Sequence, residues 1–194
     1  MATYKSEFLS HYYERRLRPR TAYAFGWIYW WSRLASAMPG IVNFLIHAPV
    51  LGSIAKTIAG VTHKRSIPKF AERTFRDWFK GRDKKNITKP KVIIWADTFN
   101  NFFLPETLVA GVEVLEASGC EVITPKQSLC CGRPLYDFGM LDTAKKMLLQ
   151  IMDVLKDDIE EEIPIVGLEP SCVAVFRDEL INLFPMNEDA KRLN

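Results

Sequence analysis

The sequence predicts an α/β fold: a parallel sheet of three or more strands with flanking helices, preceded by a helical N-terminal segment. Two observations carry the sheet. Three short apolar runs, at Lys91-Val92-Ile93-Ile94-Trp95-Ala96, Glu121-Val122-Ile123-Thr124 and Ile163-Pro164-Ile165-Val166-Gly167-Leu168, alternate with longer stretches of helical periodicity. Strand–helix–strand connections of that length cross over right-handedly and leave neighbouring strands parallel. A third observation carries the N-terminal segment, where aromatic residues recur at helical spacing between prolines.

Taken in order, Phe8, Tyr12, Arg15 and Arg16 suggest a helix that ends before Pro19. Tyr23, Trp27, Trp30, Trp31 and Leu34 form a second periodic stripe. Such aromatics are expected to pack on each other or on a neighbouring domain; the other reading is a membrane-facing belt beside Arg15, Arg16, Arg18, Arg20 and Arg33. Leu34 to Val61 is the most apolar stretch, but Pro39, Pro49, His47 and Lys56 interrupt it. It reads as short amphipathic helices broken at the prolines, not as a span of about 20 apolar residues. His11, His47 and His63 have no metal-ligand spacing. Residues 69–79 form either a short amphipathic piece or a loop docking its aromatics. The polar run Gly81-Arg82-Asp83-Lys84-Lys85-Asn86, closed by Lys89-Pro90, marks a linker at 81–90. The expected division is therefore 1–80 helical, 81–90 linker and 91–194 α/β.

Pro105 suits a helix start, and the pattern Thr107, Val109, Val112, Leu115 runs to Ser118-Gly119. Leu141, Ala144, Leu148, Ile151, Met152 and Leu155 make the stripe of another helix. Ser171 is a candidate cap for a last helix through Val175, Phe176, Leu180 and Leu183. Such a Rossmann-like sheet gathers its functional residues outside the carboxyl ends of the strands. The three loops leaving those ends carry Asp97, Thr98 and Asn100; then Cys130, Cys131, Gly132 and Arg133; then Glu169, Ser171 and Cys172. Three of the four cysteines are thus expected at one edge, with Cys120 at the other as a structural thiol.

Adjacent cysteines sit about 3.8 Å apart at Cα, while an unstrained disulfide wants roughly 4.4–6.8 Å. Cys130 and Cys131 are better placed to aim two thiolates at one soft metal centre. Arg133 either lowers the pKa of those thiols, balances a cluster's negative charge, or forms an ordinary salt bridge. Neither GxGxxG, GxxxxGK[ST] nor GxSxG occurs, and no histidine falls on the expected edge to act as base for Cys131. Net charge of +3, with 26 basic and 23 acidic residues, does not suggest a nucleic-acid binder. The polar N-terminus resembles no secretory signal, and four irregularly spaced cysteines fit a reducing, cytoplasmic compartment.

These residues resemble a family. Residues 91–184 are similar to the cysteine-rich CCG domain found in a heterodisulfide reductase subunit, in the glycolate oxidase iron–sulfur subunit and in a subunit of the anaerobic glycerol-3-phosphate dehydrogenase. That family's pattern is a cysteine after the first strand, thirty-odd residues, CCG, thirty-odd residues and CxxC. Cys130-Cys131-Gly132 matches the middle element, Thr98 stands where the first cysteine would fall, and Glu169 and Cys172 occupy the CxxC. The strings Trp95-Ala96-Asp97-Thr98-Phe99-Asn100-Asn101, Cys130-Cys131-Gly132-Arg133-Pro134-Leu135-Tyr136-Asp137-Phe138-Gly139 and Gly167-Leu168-Glu169-Pro170-Ser171-Cys172 resemble the large fused FAD/iron–sulfur oxidoreductases, similar to D-lactate dehydrogenases and glycolate oxidases. Met1 to Leu9 looks like the stretch that follows their ferredoxin-type clusters.

The resemblance implies an electron-transfer module of an FAD-linked 2-hydroxyacid dehydrogenase or oxidase, not catalytic alone. It implies Cys130, Cys131 and Cys172 as iron–sulfur ligands, with Asp97, Thr98 and Glu169 completing the wall and Arg133 tuning the charge. It implies a first, truncated repeat of a longer protein, whose partners are FAD-binding and ferredoxin-type domains, a second CCG repeat and a quinone or membrane surface. FAD would belong to that parent and not to this chain. A cytoplasmic protein, peripheral on the inner face of the membrane, is the expected setting. The alternative is a non-redox docking scaffold with a degenerate CCG site, favoured by the loss of sulfur at Thr98 and Glu169.

Overall fold

The run Val92-Ile93-Ile94 is β-branched, apolar and flanked by turn residues, and it forms the central strand of the sheet. The computed structural model describes residues 2–194, so Met1, the first residue of the expected helical segment, lies outside it. Strands β1 (Lys91–Trp95), β2 (Glu121–Ile123) and β3 (Ile165–Gly167) make a parallel three-stranded sheet in the order β2-β1-β3. Lys91 is in register with Glu121, and Ile93 with Ile165.

The two-residue period of β1 divides the core. Ile93 and Trp95 face one side, where they join Leu148, Ile151, Leu155, Val175 and Leu180. Val92, Ile94 and Ala96 face the other, against Phe75, Leu108 and Val112. The expected α/β layers are therefore present, with helices on both faces.

Five helices precede the sheet domain: α1 (Ala2–Tyr12), α2 (Arg20–Gly26), α3 (Ile28–Ala35), α4 (Pro39–His47) and α5 (Pro49–Ala59). Pro39 and Pro49 occupy the first turns of α4 and α5, so the apolar stretch breaks at its prolines as expected. Next, α6 (Phe75–Lys80) is capped by Thr74, whose hydroxyl oxygen accepts from Asp77 N–H. Phe75 is fully buried, so residues 69–79 do both things expected of them: a short helix forms, and it docks an aromatic.

Residues 81–90 hold no helix or strand. Then come α7 (Thr98–Phe102), α8 (Pro105–Ala117), α9 (Arg133–Asp137), α10 (Leu141–Val154) and α11 (Lys156–Glu160). The last stretch is α12 (Pro170–Ala174), a π-helical turn at Val175–Glu179, α13 (Leu180–Leu183) and α14 (Glu188–Arg192). The single last helix expected here is thus interrupted by a widened turn, and Glu169, not Ser171, caps it. A carboxylate two residues before Ser171 reaches both its N–H and its hydroxyl, which leaves Ser171 a donor.

The aromatic stripe packs on itself, as one of its readings expected, with the Tyr23 and Trp27 rings 5.7 Å apart and those of Trp27 and Trp31 6.3 Å apart, yet it stays partly open to solvent. Trp27, Trp30 and Trp31 keep 40%, 38% and 47% of their surface exposed, and Leu34 keeps 72%. Tyr29, outside the proposed stripe, is the buried member and donates its hydroxyl to the Ser128 carbonyl at 2.6 Å. Periodicity identified the helix but not which of its faces meets the protein.

Candidate functional site

The first site loop begins where β1 ends. Asp97 caps α7, its Oδ1 accepting from Phe99 N–H and Asn100 N–H at 3.0 Å each, its Oδ2 from Asn100 Nδ2 at 2.7 Å. Burial raises the Asp97 pKa, the Asn100 and Phe99 donors oppose that, and the nearby Glu169 charge adds to it. Asp97 is therefore spent on building the loop. The next residue, Thr98, is buried, and its hydroxyl oxygen has no hydrogen-bond partner.

The second loop carries the adjacent thiols. Gly132 takes φ +78°, a left-handed conformation that other residues adopt only with strain, and so turns the chain straight into α9. Contacts from the N-terminal segment hold this loop from outside. Tyr29 grips Ser128 on one side. On the other, Arg18 donates to the carbonyls of Phe138 at 3.2 Å and Gly139 at 2.7 Å. Gly139 is also required to be small, since a Cβ there would stand 2.6 Å from Leu9 Cβ and Ser10 N.

The third loop brings Cys172. Its Sγ lies 3.1 Å from Cys131 Sγ, across 41 residues of sequence. All three thiols are buried and all four cysteines are free. Two packing environments separate the adjacent pair: Cys131 belongs to the cluster under β1 and α10, Cys130 to the one around Tyr29, Leu135 and Met147. The Cys131 thiol and burial push the Cys130 pKa well up. For Cys131 the Cys130 contact pulls the pKa down, but the Cys172 thiol and burial outweigh it and the net shift is well up. These are neutral thiols in the absence of a Lewis acid.

A cleft of about 370 Å³ opens at this rim, lined by Thr98, Cys130, Cys131, Cys172, Arg133 and Ser171, with Phe25 and Ile28 from the N-terminal helices among its apolar walls. The expected convergence of three loops is what the structure has. Glu169 is not free to complete the wall. It caps α12, its Oε1 accepting from Ser171 N at 3.3 Å and Ser171 Oγ at 2.8 Å.

Arg133 pairs with Asp137 at 3.3 Å and, more closely, with Glu179. Glu179 is 2% exposed, and burial raises its pKa against the opposing Arg133 charge. Nothing in the local sequence marks Glu179; the π-helical turn that carries it is its one structural signature. Cys120 lies just before β2, half-buried, away from the cleft.

The chemistry of the donor set suits a soft metal centre: three thiols and one buried, unpartnered hydroxyl face a single cleft. As they stand, the Cys131 and Cys172 thiols hydrogen-bond to each other, and no group of three or more His, Cys, Asp or Glu among the described residues is arranged to hold a metal ion.

Comparisons with known proteins agree with this layout. Residues 97–177 match the CCG family, a cysteine-rich domain. A subunit of the anaerobic glycerol-3-phosphate dehydrogenase of Escherichia coli K12 is 25% identical over 185 residues, covering 84% of this chain and 46% of that protein. The D-2-hydroxyglutarate dehydrogenase of Pantoea ananatis is 24% identical over 189 residues, covering 91% of this chain and 18% of that one. Lactate utilization protein A of Bacillus subtilis is 32% identical over 88 residues, covering 45% and 35%. The chain spans less than half the length of these curated relatives. No solved structure matches it.

Proposed function

This chain carries a cysteine-rich domain of the CCG family over residues 97–177, and from that premise we propose that it is the electron-transfer module of an FAD-linked 2-hydroxyacid dehydrogenase or oxidase. D-Lactate and glycolate are the substrates we favour; the chain itself oxidises neither. The observation that carries the reading is the meeting of Cys130, Cys131 and Cys172 at one cleft. The names of the relatives, which include a lactate utilization protein and a hydroxyglutarate dehydrogenase, point to the same class of donor.

Cys130, Cys131 and Cys172 are the residues that would hold an iron–sulfur cluster, which supplies one-electron transfer when bound. The raised thiol pKa values mean that ligation releases protons and is favoured by higher pH. Thr98 offers its unpartnered hydroxyl to the same space. Arg133 brings positive charge to a rim that would gain thiolates. Asp97 and Glu169 position the two flanking loops through their caps. The partners we propose are FAD-binding and ferredoxin-type domains and a second CCG repeat in a cytoplasmic assembly.

Anaerobic reconstitution with ferrous iron and sulfide tests this. Visible absorbance that disappears in Cys131→Ser and Cys172→Ser is the expected result. A protein that stays colourless, alone and joined to its partner domains, would favour the second reading, a non-redox docking scaffold. That reading draws on Glu169, whose carboxylate is committed to Ser171 where a ligand would be wanted.

A further inference from the structure

Helices α4 and α5 present an unusually apolar surface to solvent. Asn43 turns toward the protein: its Nδ2 donates to the Phe70 carbonyl at 2.8 Å and its Oδ1 accepts from Phe70 N–H at 2.9 Å. Apolar groups turn outward: Ile41, Phe44, Val50, Leu51, Ile54 and Ile58 are 47% to 73% exposed. No residue of α4 is buried, and in α5 only Gly52 is. A Cβ at Gly52 would stand 2.3 Å from the Ile46 carbonyl oxygen, so glycine is what lets α5 fold back on α4 at 90°. Among the described residues, thirteen of the 24 exposed large apolar side chains fall between Phe25 and Ile58. A patch of this kind marks a surface that something covers.

Charge says what covers it. Residues 15–71 contain nine Lys and Arg and no Asp or Glu, leaving 17 basic against 23 acidic residues, a balance of −6, for the rest of the chain. A second copy seated on this face would set like charge against like charge. An apolar protein partner would leave the cations without counterions. An anionic bilayer surface satisfies both demands, and the exposed Trp27, Trp30 and Trp31 are the residue type that settles at its headgroups. No single helix among the described residues is long and apolar enough to cross a membrane, and α4 and α5, which reach that length and hydropathy only together, are bent by 90° at their junction. The 11 residues of α5 extend about 16 Å, against roughly 30 Å of hydrocarbon.

We propose that α3, α4 and α5 form an interfacial anchor that lays its apolar side chains into an anionic phospholipid surface, with exposed cations of residues 15–71, Lys64 and Arg65 among them, at headgroup level. The inference rests on none of the cysteine chemistry and survives its failure.

Co-sedimentation of the full 194-residue chain with vesicles tests it, using phosphatidylcholine alone and an equal mixture with phosphatidylglycerol. The expected result is binding to the mixed vesicles with a blue shift of tryptophan emission, little binding to phosphatidylcholine, and weakening by salt. Phe44→Asp with Ile58→Asp should abolish binding. Lys64→Ala with Arg65→Ala, both exposed, should weaken it by at least tenfold, from about fivefold per cation. Circular dichroism and thermal unfolding confirm that both variants fold. Absence of binding to the mixed vesicles, equal binding to both lipids, or full binding by the Asp variant overturns the proposal. So does a dimer that the Asp variant dissociates without any vesicle binding by the parent chain.

Discussion

Removing the Arg133 guanidinium should expose how much the rim depends on one buried ion pair. In Arg133→Ala the Glu179 carboxylate, 2% exposed, loses the donor to its Oε1, while its Oε2 has none to begin with. Stripping one partner from a buried pair costs about 3–5 kcal/mol. The Arg133 side chain is 24% exposed, which argues for the low end, about 3 kcal/mol. Its second pair, with the half-exposed Asp137, adds at most about 0.5 kcal/mol. With an m value of about 2 kcal/mol/M, urea unfolding monitored by circular dichroism should show the midpoint falling by about 1.5 M near pH 8.

The deficit must also depend on pH, with a definite sign. Burial already raises the Glu179 pKa, and the Arg133 charge opposes that rise. A carboxyl whose folded pKa lies above its unfolded value binds more protons when folded. Its contribution is complete below the unfolded value and is lost as pH climbs through the folded one. Without Arg133 the carboxyl rises further, so the deficit should shrink on lowering the pH from about 8 to about 5. Arg133→Met with Glu179→Leu, which removes both charges, should recover most of the loss. Equal deficits at the two pH values, or a loss below about 0.5 kcal/mol, would show that the pair does not hold α9 to the π-helical turn.

Three other outcomes follow from named contacts. Phe75→Ala empties a fully buried site between α6 and the β1 face and should cost about 3–5 kcal/mol in the same urea assay; a loss under about 1 kcal/mol would mean the docked aromatic is dispensable. Gly132→Ala has room, its Cβ 3.5 Å from the nearest Ala144 atom, so its cost of about 1–2 kcal/mol comes from the positive φ alone; replacement by D-alanine through chemical ligation should be neutral, and an equal loss would refute the conformational cause. Treating the metal-free protein with hydrogen peroxide should join Cys131 to Cys172, the two thiols losing two protons and two electrons to peroxide, which leaves as water. Peptide mapping should find that bridge in preference to one between Cys130 and Cys131, and a dominant vicinal bridge would contradict the placement of the sulfurs.

The strands were legible because Val92-Ile93-Ile94 and Val122-Ile123 are β-branched runs between turn residues, and their parallel pairing followed from the intervening helices. The breaks at Pro39 and Pro49 were legible because proline cannot continue a helix. The three-loop convergence was legible because strand direction alone decides which loops share an edge. Less was visible of the roles within that edge. Asp97 and Glu169 have the chemistry of ligands, but a carboxylate on the residue just before a helix meets free N–H groups within 3.3 Å and caps them. Glu179 escaped notice because its partner Arg133 is 46 residues away in sequence. The tryptophan stripe could be read either as packed or as an exposed belt, since periodicity describes a helix face without saying what lies opposite.

By itself, the sequence determined the α/β layering, the edge where chemistry collects and the identity of its thiols, because backbone preference and strand direction are local properties carried by residue type. Only the tertiary structure decided that Cys131 turns to Cys172 while Cys130 turns to a different packing cluster, that the two loop carboxylates cap helices, and that the apolar faces of α4 and α5 look outward. Those outcomes depend on which surfaces meet across long stretches of chain, and contacts between distant segments leave no periodic trace in the order of the residues.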